Sequence, residues 1–377
     1  MMRRYLIVVA LLAILCLTGC KDTQNPAERE LAAFTTYMSR MGYREETMEF
    51  YSGYDYSYDE KGQCISEDSN GSIHTFACEY DGNGSLIKKT EYDSDGEVIC
   101  VYEYVNGNLV RKDSLSLKLI SEYTYNDKNQ MIQWAETYTA YEEPYVYEEF
   151  YKYDDEGHKV WEGYDRYHPN QTWEYDSNGN LIKQSVNNGS TKIEYQYDEQ
   201  GLLLCEIHYE VIMWNTERIY SYTKNTYDDE GRILKIEEIY LDYDEEGNVE
   251  KSETERLYVY SYYGNTKRED AYYKDEWYMT QLWNYDEAGN EIKHMVFEKC
   301  NEGVRMSAWE VTEYDAQNRV TKELNMRDDC WRLYGDGCAD GIFVREVRYD
   351  ENGNTTRDIT KRQNLNENFD YGVRFER

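Results

Sequence analysis

The chain has 377 residues, of which 75 are Asp or Glu and 41 are Lys or Arg, giving a formal net charge of −34 at pH 7. Such a charge repels nucleic acid and anionic membrane surfaces, so DNA and RNA are excluded as partners. Strong acidity with low hydropathy usually indicates disorder. With only three Pro and 42 Tyr, however, the chain can build a core from rings that keep their hydroxyls in water. We therefore expect folded β structure.

The first 20 residues have the form of an export signal. Arg3 and Arg4 precede an apolar run from Leu6 to Leu17, which is shorter than the ~20 residues of a membrane span and typical of a secretory signal peptide. Residues 17–20, Leu-Thr-Gly-Cys, resemble the lipobox of bacterial lipoproteins. The resemblance implies removal of residues 1–19 and anchoring of acylated Cys20 in the lipid bilayer, on an extracytoplasmic face. The alternative is an ordinary secretory signal with a chance Cys.

Residues 20–50 are interpreted as a lipidated tether and a short helix. Asn25 and Pro26 can cap and begin a helix that ends at Gly42. Its apolar positions lie near one face, at Leu31, Phe34, Tyr37, Met38 and Met41. We expect this helix to cover the edge of the first strand, because exposed strand edges invite aggregation. Docking of a partner is the alternative.

Residues 51–377 repeat one motif, Tyr-Asp-x-x-Gly. Ten copies begin at Tyr58, Tyr80, Tyr92, Tyr153, Tyr175, Tyr197, Tyr227, Tyr243, Tyr285 and Tyr349. Two more, at Tyr125 and Tyr314, have Asn in the fifth place, so this place requires positive φ. With an Asp that can accept backbone N–H bonds, the motif predicts a type I turn with a bulged hairpin. The predicted turn residues are Asp59, Gly62, Asp81, Gly84, Asp154, Gly157, Asp176, Gly179, Asp198, Gly201, Asp228 and Gly231.

Each motif is flanked by strand patterns. A strand begins after the Gly, as in NLIK at 180–183, and an aromatic residue often lies two places before the Tyr, which puts both rings on one face. Tyr153, Tyr175 and Tyr197 are 22 residues apart, which allows two strands per unit. On the order of thirty strands would follow, too many for a small closed barrel. We predict an all-β fold, a long antiparallel meander of hairpins that forms a spiral or a stacked open sheet.

The unit Tyr-Asp-x-x-Gly-x-hydrophobic-x-Lys/Arg resembles the YD repeat of the Rhs family, over residues 54–360. The resemblance implies hairpins wound into a spiralling sheet on a surface or secreted protein. The chain departs from the large members of the family, because it lacks their length, their Asp-Pro-x-Gly segment and a cargo domain. Encapsulation and self-cleavage are therefore not expected.

The cysteines and the insert at 327–342 are the remaining irregular features. Cys330 and Cys338, eight residues apart, are the one plausible local disulfide in an oxidising exterior. The other cysteines lie singly in strand patterns, where Cys acts as a small hydrophobe. The insert is interpreted as a surface loop, with ligand binding as the alternative.

No catalytic motif is present in the sequence. The five His show no HExxH spacing, and GxSxG and GxGxxG are absent. Carboxylates are too numerous for spacing to single out a catalytic pair. We predict a protein that is not an enzyme and that uses no cofactor or metal.

The surplus of Tyr and Trp is the one positive sign of a ligand, since exposed rings stack on sugars and anchor protein interfaces. We expect a lipid-anchored binding or scaffold surface for a protein or glycan of the envelope. One alternative is an immunity-like lipoprotein that neutralises a basic toxin. The other is a glycan-acting enzyme with two carboxylates ~5–9.5 Å apart.

Overall fold

The computed structural model describes residues 48–364, except 142, 187–188, 213–215, 245–246, 301–302 and 328–340. This part of the chain forms 24 antiparallel strands, each paired with its neighbours in chain order, which confirms the all-β meander of hairpins. The first twelve are Glu49–Tyr58 (β1), Cys64–Ser69 (β2), Ser72–Tyr80 (β3), Leu86–Tyr92 (β4), Val98–Val105 (β5), Asn108–Ser114 (β6), Leu119–Tyr125 (β7), Met131–Tyr138 (β8), Tyr145–Tyr153 (β9), Lys159–Gly163 (β10), Gln171–Tyr175 (β11) and Leu181–Val186 (β12). The others are Thr191–Tyr197 (β13), Leu203–Ile212 (β14), Thr216–Tyr227 (β15), Ile233–Tyr243 (β16), Val249–Tyr263 (β17), Thr266–Tyr273 (β18), Glu276–Tyr285 (β19), Glu291–Cys300 (β20), Gly303–Tyr314 (β21), Val320–Arg327 (β22), Gly341–Tyr349 (β23) and Thr355–Asn364 (β24).

The sheet closes on itself. Besides β2, strand β1 pairs with β24, from Glu49 opposite Arg362 to Asp55 opposite Arg357. The expectation of an open spiral or stacked open sheet is therefore wrong. The diameter of a closed sheet grows with the number of strands, so a high strand number excludes only a small ring. Closure also pairs the backbone groups that the two terminal strands would otherwise expose.

Closure also removes the reason given for the N-terminal helix, because β1 has a partner on both sides and no free edge. The signal and tether with Cys20, and the helix expected from residue 25 to Gly42, lie outside the described residues. So do Cys330 and Cys338.

The hairpins alternate between two rims of the closed sheet. Turns after odd-numbered strands form one rim, here called the turn rim, and connections after even-numbered strands form the other, the loop rim. Ten of the twelve motif copies lie on the turn rim, whereas those at Tyr92 and Tyr243 lie on the loop rim. Longer connections, such as 139–144 and 164–170, occur on the loop rim, where β1 also begins. The turn rim is thus nearly uniform and the loop rim is varied.

The two faces of the sheet differ in exposure. The tyrosine face carries most motif rings, and in β3 its residues, such as Phe76 and Tyr80, are half-buried. The opposite face of β3 is exposed, as at Ile73 and Glu79. A rise in exposure from one face to the other is expected when neighbouring side chains crowd each other on one side of a curved sheet.

The fully buried core lies on the opposite face, in β19–β23, and not among the tyrosines. Trp283 and His294 pair in register on the tyrosine face, next to Leu282 and Met295, which pair on the opposite face. The buried cluster, here called the core patch, consists of Leu282, Met295, Phe297, Met306, Trp309, Met326 and Ile342.

Candidate ligand-binding surface

The motif turns use the Asp carboxylate as a backbone acceptor. In the turn at Asp176, one carboxylate oxygen accepts the N–H groups of Asn178 (2.8 Å) and Asn180 (2.9 Å). The Gly179 N–H donates to the Asp176 carbonyl over 3.0 Å. Bonding by the Asn180 side chain, followed by its N–H, lowers the pKa of Asp176. These groups satisfy each other within the turn.

The other predicted turn residues lie at equivalent positions. The predicted Gly residues all have φ between 76° and 100°, and Asn129 and Asn318 have φ of 67° and 58°. In each turn the Gly N–H donates to the carbonyl of the motif Asp. These pairs are Asp59 and Gly62, Asp81 and Gly84, Asp154 and Gly157, Asp176 and Gly179, Asp198 and Gly201, and Asp228 and Gly231.

The motif tyrosines make a contact that the sequence interpretation missed. The Tyr197 hydroxyl donates over 2.8 Å to the carbonyl of Leu181, which lies two residues after the Gly of the preceding turn. Tyr58 makes the same bond to Thr355 (2.8 Å), across the β1–β24 junction. Equivalent bonds join Tyr125 to Leu109, Tyr153 to Met131, Tyr175 to Lys159, Tyr227 to Leu203, Tyr314 to Glu291 and Tyr349 to Val320. The signal was present in the sequence, because this motif position holds Tyr and never Phe.

Open tyrosine rings are concentrated on the loop rim. Tyr141 and Tyr145, beside the β8–β9 connection, are 66 % and 59 % exposed. Tyr164 and Tyr167, in the next connection of that rim, are 55 % and 83 % exposed. Four open rings on two consecutive connections form a surface that a ligand can reach.

These rings continue onto the tyrosine face. Tyr145 packs on Tyr138 (6.1 Å between centroids), and Tyr164 packs on Tyr147 (5.6 Å). Tyr147 in turn meets the edge of Trp134 at 5.6 Å. We call this surface the aromatic patch, made of Trp134, Tyr138, Tyr141, Tyr145, Tyr147, Tyr164 and Tyr167.

Carboxylates lie between the rings of the aromatic patch. Glu136 accepts a hydrogen bond from the Tyr138 hydroxyl (2.9 Å), and Glu149 accepts one from the Tyr151 hydroxyl (2.7 Å). Burial, followed by the charge of Glu149, raises the pKa of Tyr147 to about 12, so this phenol stays neutral. Flat rings beside strong acceptors suit a ligand that offers both apolar faces and hydroxyl or ammonium donors.

The 164–170 connection is held in shape by local contacts. The Asp165 carboxylate accepts the Tyr167 N–H (2.7 Å) and contacts the His168 ring (3.0 Å), and this ring contact lowers the pKa of Asp165 to about 2. A Cβ on Gly163 would lie 2.4 Å from the His168 carbonyl oxygen, so only Gly fits there without a shift. The open rings are therefore presented by an ordered loop.

Other kinds of site find less support in the described part of the chain. No group of three or more His, Cys, Asp or Glu residues there could hold a metal ion. No helix in the described ranges is long and apolar enough to cross a membrane. A concavity of about 710 Å³ near the turn rim is lined by Lys128, Phe150, Lys152 and Arg166 among others, with no catalytic constellation. Cys64, Cys78, Cys100 and Cys205 are free thiols.

Comparisons with known proteins identify the repeat. Residues 175–210 match the RHS repeat, and residues 68–114 match a protein family of unknown function, DUF2963. The Tyr-Asp units of this chain are therefore of the YD or Rhs type. No curated protein matches the chain.

Three solved structures show limited similarity. A protein of unknown function from Bacteroides fragilis is 16 % identical over 33 % of this chain and 95 % of its own, with a TM-score of 0.27. The TcdB2-TccC3 structure is 11 % identical over 81 % of this chain but 25 % of its own, with a TM-score of 0.19. A porin-like protein from Bacteroides uniformis is 10 % identical over 65 % and 89 %, with a TM-score of 0.26. Similarities at these scores carry no argument about fold or function.

Proposed function

We propose that the protein is a lipid-anchored, extracytoplasmic binding protein that holds a glycan of the envelope on the aromatic patch. The observation that carries the proposal is the row of open tyrosines on two consecutive loop-rim connections, with carboxylate acceptors between the rings. Pyranose rings stack their C–H faces on aromatic rings, and their hydroxyls donate to carboxylates. With a net charge of −34, the protein favours a neutral or amino-sugar polymer over an anionic one.

The anchor agrees with this geometry. Residues 17–20 resemble a lipobox, and β1 begins on the loop rim, so a tether from Cys20 joins the rim that carries the aromatic patch. The 28 residues between Cys20 and Glu49 span roughly 90 Å when extended, at ~3.3 Å per residue. Such a tether leaves the patch free to meet a polymer above the bilayer.

Binding is tested with the mature chain carrying Cys20→Ala, on a glycan array and then by calorimetry with the best ligand. We expect Tyr145→Ala and Tyr164→Ala each to weaken binding by about tenfold or more, since truncating an aromatic anchor typically costs 1 kcal/mol or more. Tyr240→Ala is the matched control, because Tyr240 is also exposed (41 %) but lies on β16, outside the patch.

Two results would contradict a glycan ligand. One is silence across the array, and the other is binding that both patch variants leave intact. If an envelope protein is captured instead, and Tyr145→Ala and Tyr164→Ala release it, then the patch binds a protein and the glycan is the wrong ligand class.

The anchor is tested separately, by feeding cells a radiolabelled fatty acid. The wild-type chain should carry the label and sediment with membranes. The Cys20→Ala chain should carry no label and remain in the soluble extracytoplasmic fraction. Label retained in the variant would show that acylation does not depend on Cys20.

A further inference from the structure

The core patch is buried on a face that is exposed elsewhere. Leu282 and Met306 are 0 % exposed and Trp309 is 2 % exposed, whereas Ile73 on the same face of β3 is 43 % exposed. The extensive contacts of these strands are with their neighbours in the sheet, which flank a side chain without lying over it. Something other than the flanking strands must therefore cover this part of the opposite face.

The N-terminal end of the described chain lies at the core patch. Met48, the residue before β1, packs against the patch. Glu49 pairs with Arg362 at the loop-rim end of β24, and Ile342 of the patch is the second residue of β23 at the same rim. The segment that precedes Met48 thus enters β1 from the patch.

We propose that residues 25–47 dock on the core patch as an amphipathic segment. Leu31, Phe34, Met38 and Met41 recur at spacings of three and four, which gives one apolar face to a helix. With β1 paired on both sides, this face has no strand edge to cover and needs another apolar surface. A helix of this length spans roughly 35 Å, enough to cross five strands at ~4.8 Å spacing.

The composition of the core patch suits such a segment. Three of its seven members, Met295, Met306 and Met326, have flexible thioether chains that adapt to an irregular partner surface. Docking would join β1 to β19–β23 and fix the tether at one sector of the loop rim. This role is independent of the glycan proposed for the aromatic patch.

The three methionines provide a native probe of the cover. In the mature chain carrying Cys20→Ala, peroxide treatment and peptide mass spectrometry report the oxidation rate of each Met, which follows exposure. We expect Phe34→Asp to raise the rates at Met295, Met306 and Met326 by about tenfold or more, because a carboxylate is excluded from an apolar contact. Met131, on β8, should keep its rate, which separates local uncovering from unfolding.

Thr36→Asp is the matched control, since residue 36 faces away from Leu31, Phe34 and Met38 on a helix. It should leave all methionine rates unchanged. Unchanged rates in Phe34→Asp would overturn the proposal and assign the cover to another segment, such as residues 328–340.

A cross-linking experiment tests the contact without destabilising it. Phe34 is replaced by a benzophenone amino acid in the same chain, and the photo-product is mapped. We expect cross-links to peptides from β20–β23 that contain Met295, Met306 or Met326. Cross-links confined to other strands would overturn the proposal even if Phe34→Asp fails to fold.

Discussion

Loss of one motif hydroxyl should cost the fold a measurable and specific amount. Tyr125→Phe removes the hydrogen bond from the Tyr125 hydroxyl to the Leu109 carbonyl (3.0 Å) and leaves the half-buried ring in place. A neutral hydrogen bond of this kind contributes about 1 kcal/mol net. Because the carbonyl is only partly buried, water can replace part of the bond, and we expect a loss of about 0.5–1 kcal/mol.

The chain supplies a matched control two residues away. Tyr123 lies on the same strand and face and is also half-buried, but its hydroxyl has no hydrogen-bond partner among the described residues. Tyr123→Phe should therefore change the free energy of unfolding by less than about 0.3 kcal/mol, as for an ordinary surface substitution. Equilibrium unfolding in urea gives both values, provided that the m-value stays constant.

The effect is enlarged by combining distant sites. Tyr125→Phe, Tyr197→Phe and Tyr314→Phe lie on β7, β13 and β21, several strands apart, so their costs should add to about 2–3 kcal/mol. Equal losses for Tyr123→Phe and Tyr125→Phe would refute the reasoning, because the ring and not the hydroxyl would then determine the stability. So would a triple variant as stable as the wild type.

Three further predictions concern the turns, the 164–170 loop and the core patch. The destabilisation caused by Asp176→Ala should be present at pH 6 and disappear as pH falls through the lowered pKa of Asp176, because protonation removes the same acceptor in the wild type; a difference that persists at pH 2 contradicts this. Gly163→Ala should cost about 1–3 kcal/mol through the clash with the His168 carbonyl, measured by urea unfolding; an unchanged midpoint contradicts it. Leu282→Ala should cost about 2–5 kcal/mol, against little for exposed Leu204→Ala; similar values contradict burial of Leu282.

The hairpins were predictable because their determinants are local. Gly179 or Asn129 at a position of positive φ, with an Asp or Asn that accepts two N–H groups, defines a turn within five residues. The hydroxyl bonds of the motif tyrosines were not predicted, since Tyr197 reaches the carbonyl of Leu181 16 residues earlier. The constant Tyr in place of Phe recorded that bond in the sequence.

Closure and the location of the core could not be obtained from local patterns. Asp55 and Arg357 are opposite each other across some 300 residues, and no turn marks this junction. The core patch combines five strands whose apolar residues, such as Met295 and Met326, belong to no shared motif. The aromatic patch likewise depends on closure of the register between β8, β9 and β10, which places the open rings of separate loops side by side.

The most direct test of the closed sheet is a cross-link between its first and last strands. Asp55→Cys and Arg357→Cys place two thiols on residues that face each other across β1 and β24, where Cα atoms are about 4.5–5.5 Å apart and within the range of a disulfide. The closed sheet predicts an intramolecular disulfide between the introduced thiols, identified by peptide mapping, in protein that keeps its native stability. An open sheet would keep the two strands tens of ångströms apart, and absence of that disulfide in the folded monomer would contradict closure.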